Sequence, residues 1–238
     1  MSERVESLLV EDGSSMGAFV AVPVSEGPHP AVIVISGAAG VDTSITDIAR
    51  HLAGEGYYAI APDLFHRLDS RDWDGKTTRA PKLTDTWIIA DIEASISYIQ
   101  SHIGIQGNPI GIIGFCMGGR VSLLGATINP SIGASICFYP GNSMAPRADG
   151  PSAIERLKNA VCPILGIFGA NDENPSPNDM QQLSEELKKY DKEHEFHSMP
   201  NAGHNFMDSY NEQTYRASAS EAAWPLVTSF LKKHLASS

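Results

Sequence analysis

The chain is predicted to fold as an α/β protein: a mostly parallel central sheet with helices on both faces. Three observations predict this. Apolar runs of strand length alternate with longer segments whose apolar residues recur every three or four positions. The runs at 31–36 and at Ile110-Gly111-Ile112-Ile113 are continuous rather than alternating, as strands buried on both faces require. The second of these leads directly into Gly114-Phe115-Cys116-Met117-Gly118-Gly119, a glycine-framed turn ahead of a helical segment at 120–126.

The elements follow in order. Segments 4–10 and 17–23 alternate like the two arms of a hairpin, with Asp12-Gly13-Ser14 at its turn. A buried strand at 31–36 precedes a helix at 43–54, which carries Ile45, Ile48, Ala49 and Leu52 on one face and stops at Gly54-Glu55-Gly56. A strand at 57–62 is followed by a polar, aperiodic stretch, 67–84, expected to be a long surface loop. The helix at 86–102 has Ile88, Ile89, Ile92, Ile96 and Ile99 on one side. Beyond the glycine turn come strands at 132–139 and 163–169, separated by a loop at 142–150 rich in Ser, Pro and Gly. An amphipathic helix at 176–191, a last strand at 193–199 and a long helix at 214–235 complete the pattern. No repeat or linker interrupts it, so residues 1–238 are expected to form one domain.

Composition narrows the function. The 238 residues carry a net charge of −11, which argues against nucleic acid or an anionic membrane as partner. No apolar stretch approaches the ~18 residues of a transmembrane helix, and the charged first residues do not resemble a secretion signal. The three cysteines, Cys116, Cys137 and Cys162, lack metal-like spacing, and a reducing, cytoplasmic setting is expected. Cys137 and Cys162 sit inside apolar runs and are expected to be buried core thiols.

Cys116 is different. Strand, sharp turn and helix with a nucleophile at the tip match the nucleophile elbow of α/β-hydrolases, G-x-S-x-G, with Cys in place of Ser. The helix start directs free N–H groups toward the sulfur and favours thiolate. That fold places its catalytic residues in the order nucleophile, acid, histidine. Asp172, in the turn after 163–169, and His204, in the turn after 193–199, satisfy the order. Both are expected past the carboxyl ends of parallel strands, where open sheets form their crevice. The types suit thiol chemistry: the thiolate attacks a carbonyl carbon, the imidazole shuttles the proton, and the carboxylate fixes the imidazole's orientation. Main-chain N–H groups of Met117 and of Gly37-Ala38-Ala39-Gly40 are candidate oxyanion donors. Glu173 is a rival carboxylate. His66 precedes the nucleophile, breaks the order and is expected to be structural.

These residues resemble the dienelactone hydrolase family, a branch of the α/β-hydrolases, over most of the chain from about Val5 to Leu235. The motifs that carry the resemblance are Gly56-Tyr57-Tyr58-Ala59-Ile60-Ala61-Pro62-Asp63-Leu64-Phe65, the Cys-bearing elbow, Phe168-Gly169-Ala170-Asn171-Asp172 and Ala202-Gly203-His204-Asn205-Phe206. The resemblance implies opening of a small enol-lactone, 4-carboxymethylenebut-2-en-4-olide, to maleylacetate. It implies a Cys116-His204-Asp172 triad, Met117 and Ala38 as oxyanion donors, no cofactor and no metal. Two features depart from the family pattern. The family's Glu near Gly37 is missing from Ser36-Gly37-Ala38-Ala39-Gly40, and its Arg four residues past the histidine is replaced by Asp208. Gly37, Arg71, Arg79, Tyr139 and Asp208 are the candidate substrate contacts. A binding protein built on the same scaffold is the alternative function, and a thiol redox protein a more distant one for lack of a nearby second Cys.

Overall fold

The computed structural model describes residues 1–69, 79–102, 104–147 and 149–236. Its strands are β1 (Ser2–Leu9), β2 (Ser15–Val22), β3 (His29–Ile35), β4 (Tyr58–Pro62), β5 (Ile105–Phe115), β6 (Ile132–Phe138), β7 (Ile164–Gly169) and β8 (His194–Met199). The helices are α1 (Thr43–Gly54), α2 (Asp85–Ser101), α3 (Met117–Gly125), the single-turn α4 (Ala153–Arg156), α5 (Pro177–Lys189) and α6 (Ala217–Leu235). The strands form one eight-stranded sheet, ordered β1-β2-β4-β3-β5-β6-β7-β8. β1 and β2 form the hairpin, β2 joins β4 antiparallel, and every pairing from β4 onward is parallel.

The continuous apolar runs serve two faces. Along β3, Ala31, Ile33 and Ile35 point into one core with Ile88, Ile92 and Ile96 of α2, Val121 of α3 and Leu183 of α5. Val32 and Val34 point into the other core, with Ile45, Ile48 and Leu52 of α1 and Val227 and Leu231 of α6. Each fully buried side chain of this kind contributes roughly 1.5–3 kcal/mol, so slipping a central strand by one residue would forfeit both cores at once.

Caps define most helix starts. Asp42 accepts from Ile45 at α1, Thr84 from Trp87 at α2, and Ser176 from Asp179 at α5, where Asp179 returns the bond. Three elements differ from the sequence expectation. β5 begins at Ile105, five residues before its apolar run, because it extends beside His29 and Pro30 of β3. α6 begins at Ala217 rather than 214, since Asn211 anchors the preceding turns by accepting from Thr214 and Tyr215. α4, in a stretch without helical spacing, is held by a capping box between Ser152 and Glu155.

Between β3 and its two neighbours the chain reverses its progress across the sheet, which opens a crevice beyond their carboxyl ends. β5 delivers Cys116 to that point, and the pairing of Ile35 with Gly114 sets the β3–α1 loop alongside. α3 starts in tight quarters. A methyl group on Gly118 would run into the carbonyls of Ile35 and Ser36, and one on Gly119 would meet the Phe138 carbonyl at 2.5 Å. Gly118→Ala should gain up to about 1 kcal/mol of helix propensity yet lose more to backbone overlap, typically ~1–3 kcal/mol. Urea unfolding should therefore show a net loss of stability; an unchanged or raised midpoint would show that the elbow tolerates a side chain.

Candidate active site

Cys116 has φ +56° and ψ −117°, a strained setting for a residue with a side chain, and its sulfur makes no cap bond to the helix it precedes. Its N–H donates to Phe138 O at 3.1 Å, and its carbonyl accepts from Gly119, Arg120 and Gly141. The backbone is thus consumed in holding the turn and the thiol is left for the crevice. Cys137 and Cys162 are buried, as expected. Burial pushes the Cys137 thiol far above its ordinary pKa and that of Cys162 up to about 12.

Asp172 and His204 are brought together by two loops that hydrogen-bond each other. Ala170 donates to Met199 O and Asn171 to Ala202 O. Nδ1 of His204 lies 2.8 Å from Oδ2 of Asp172, a nearly inaccessible carboxylate whose Oδ1 accepts from the Asn174 amide. Nε2 is then the nitrogen available to Cys116, and thiol and imidazole line the same cleft. Burial disfavours the charged ring, but the bond to Asp172 and the proximity of Cys116 outweigh it and raise the His204 pKa to about 10. The rival Glu173 is exposed at the rim of that cleft. His66 is occupied elsewhere: its Nε2 lies 3.1 Å from fully buried Asp91, which also holds Arg67.

The other candidates sort by position. The amides of Ala38 and Met117 have no hydrogen-bond acceptor among the described residues, and both residues line a cavity of about 470 Å³ beside Cys116. Gly37 stands against Cys116: a Cβ there would be 3.5 Å from that of Cys116. Tyr139 is buried with its ring centroid 5.1 Å from that of His204, and burial drives its phenol pKa well up. Tyr139 and Asp208 share a second cavity at Cys116, about 280 Å³, with Asp42. Arg79 is stacked over the Phe65 ring at 4.6 Å and does not line either cavity. Arg71 lies outside the described residues.

The sequence reading missed Asp42, Arg120 and Arg147. Asp42 has its carboxyl pKa raised by burial and by the Asp208 charge. Arg120, one turn into α3, is buried against Asp85 at 3.1 Å, and Arg147 reaches the larger cavity from the loop after β6. Arg120 was findable as a charge on an otherwise apolar helix. Nothing local distinguishes Arg147. In the cleft that holds His204, Asn142 and Asn174 clasp each other: the Asn142 amide donates to Oδ1 of Asn174, and Nδ2 of Asn174 to Oδ1 of Asn142. Among the described residues no cluster of three or more His, Cys, Asp or Glu is arranged to hold a metal ion.

With this geometry in place, comparison with known proteins is decisive at one level. The profile of the dienelactone hydrolase family matches residues 16–235. The chain belongs to the dienelactone hydrolase family. A Synechocystis protein described as "Putative carboxymethylenebutenolidase" is 31% identical over 92% of both chains. A Bradyrhizobium "Probable 2-oxo-3-(5-oxofuran-2-ylidene)propanoate lactonase" is 29% identical over 94% of this chain and 92% of its own. The crystal structure of a "Putative Dienelactone Hydrolase" from Klebsiella pneumoniae superposes with a TM-score of 0.90 at 27% identity, covering 98% of this chain and all of that one. The fold is therefore that of an α/β-hydrolase, and the protein is a dienelactone-hydrolase-like hydrolase. No helix among the described residues is long and apolar enough to cross a membrane.

Two measurements check the site. Iodoacetamide at neutral pH should label Cys116 before Cys137 and Cys162, whose thiols burial keeps protonated; peptide mapping that finds either of those first would contradict it. Because the folded-state pKa of His204 is raised from 6.5 to about 10, its stabilising contribution is complete below the lower value and fades as pH climbs through the upper. The stability difference between the native protein and His204→Gln, from urea unfolding, should therefore shrink between those pH values; a gap that widens would reverse the assignment.

Proposed function

We propose that the protein is a cysteine hydrolase of small carboxylic esters or lactones, working through a thioester, as one domain in a reducing cytoplasm. The observation that carries the reading is the His204–Asp172 couple at 2.8 Å, with Cys116 at the free end of the imidazole. Three free thiols, two of them buried, suit a reducing compartment.

The steps follow from the groups present. The Cys116 sulfur adds to the carbonyl carbon, a C–S bond forms, and the carbonyl electrons move to oxygen, where the Met117 and Ala38 amides can receive the charge. Collapse breaks the C–O bond, and protonated His204 gives its proton to the departing oxygen. Water, deprotonated by His204, then attacks the thioester and releases acid and thiolate. Asp172 keeps Nδ1 occupied throughout, so that Nε2 does the exchanging. The segment Ser36-Gly37-Ala38-Ala39-Gly40 carries no carboxylate, so Cys activation is assigned to His204 and the start of α3.

Cys116→Ala should lower turnover of p-nitrophenyl acetate by at least about 10³-fold, the order seen when a triad member is lost, while Cys162→Ala retains it. Equal losses in the two variants would remove Cys116 as nucleophile. His204→Ala should slow alkylation of Cys116 by iodoacetamide at pH 7 about tenfold; an unchanged rate would uncouple sulfur from imidazole.

A further inference from the structure

The sheet ends in two strands that each keep one free edge, β1 and β8. β8 exposes no large apolar side chain, whereas β1 exposes Val5 at 75% and Leu9 at 79%. Both stand on one face of the strand, together with Glu3 and Ser7. An open edge that carries bare apolar side chains is a template for another strand.

The backbone of β1 fixes which of its groups are unpaired. Val10 donates to Ser14 O, and along the same hairpin Leu8 lies opposite Met16, Glu6 opposite Ala18 and Arg4 opposite Val20. The even residues therefore exchange hydrogen bonds with β2. β2 in turn spends its odd residues on β4, as the bond from Asp63 to Gly17 O requires. The N–H and C=O groups of Glu3, Val5 and Ser7 are left pointing out of the sheet.

We infer that β1 is a self-association surface whose partner is β1 of a second copy of this chain, antiparallel about a two-fold axis at Val5, so that two eight-stranded sheets run on as one. Only the odd residues can bond across this edge, which restricts the register to a few settings. With the axis at Val5, Val5 meets its own copy, Glu3 falls opposite Ser7, and Arg4 falls opposite Glu6 on both sides. Leu9 lies over the start of the partner strand. Within one chain Arg4 already pairs with Glu6 and donates to the Tyr58 hydroxyl at 3.0 Å. Across the axis the two pairs close a square of alternating charge, at the non-hydrogen-bonded positions where side chains come closest. An axis at Glu3 would set Glu3 against Glu3. One at Ser7 would bring Val5 to Leu9 but oppose Glu3 to Glu11 and leave Arg4 and Glu6 facing Val10 and Leu8. An edge protected from its own copies carries one sign of charge; β1 carries both, in mirror order about an exposed valine. The inference does not depend on the chemistry at Cys116, because β2, β4 and β3 stand between β1 and β5.

The test is sedimentation velocity of the full chain over a concentration series. The native protein should reach twice the mass of one chain. Val5→Lys sets two cations on the axis and should weaken association at least about tenfold, with an unchanged circular dichroism spectrum. Arg4→Glu should weaken it too, and the double variant Arg4→Glu/Glu6→Arg, which restores the alternation in reverse, should recover it. Hydrogen exchange should find the Val5 and Ser7 amides protected in the native dimer and exposed in Val5→Lys. A native protein that stays monomeric throughout the series overturns the inference. So does a dimer that Val5→Lys leaves intact, or one whose Val5 and Ser7 amides exchange freely, since the contact then lies on another surface. A double variant that folds and stays apart removes the axis at Val5. If Arg4→Glu does not fold for want of its bond to Tyr58, Val5→Lys and the exchange pattern decide.

Discussion

The approach of α3 to the ends of β3 and β6 is the constraint on which the site depends. A helix can begin between two strand ends only if its first residues present no side chains to them, and Gly118 and Gly119 meet that condition. The closeness has three results. It throws Cys116 into a left-handed turn at the crest of the sheet. It brings the β3–α1 loop, with Ala38, beside the helix start. It also turns Arg120 down into the protein, where Asp85 receives it. The energy for this strained arrangement comes from the two cores behind it, each drawing on alternate residues of the same strands.

Around that fixed point the loops are tied to one another more than to the sheet. Asp172 and His204 sit on turns joined by main-chain bonds from Ala170 and Asn171, and the asparagine clasp couples the Asp172 loop to the one after β6. That latter loop carries Arg147, whose guanidinium reaches back to Ala80 and Leu83 ahead of α2. The turns of Asp172 and His204 and the loop that lines the larger cavity are thus joined by hydrogen bonds, although the residues concerned are scattered along the chain.

Much of this was legible in the sequence, and what was legible had a local cause. Strands such as β3 declare themselves because burial on both faces leaves no polar position. The turn that bears Cys116 declares itself because only glycines fit at 114, 118 and 119. The order of Cys116, Asp172 and His204 could be read because each follows a strand. The illegible parts have non-local causes. Arg147 looks like any loop arginine until its partners Ala80 and Leu83 are seen beside it. Asp42 reads as a helix cap, which it is; its acidic partnership with Asp208 arises only when two distant turns meet. Arg79 was expected at the substrate; its guanidinium stacks on Phe65, in the turn that follows β4, and lies beside Gly40 of the β3–α1 loop. The strand itself was read correctly, but which loop residue its downstream aromatic ring would capture depends on how the chain returns to it.

One small feature carries further than its size suggests. The carbonyl of Cys116 is gripped from within by three N–H groups, those of Gly119, Arg120 and Gly141. A trans peptide unit is a flat plate whose oxygen and hydrogen point in opposite directions. Anchoring the oxygen inward therefore aims the Met117 hydrogen outward, as a lever fixed at one end commits the other. The dipole that would greet a newly formed negative charge is set in place during folding, before any ligand arrives, and has no freedom to swing aside while that charge comes and goes.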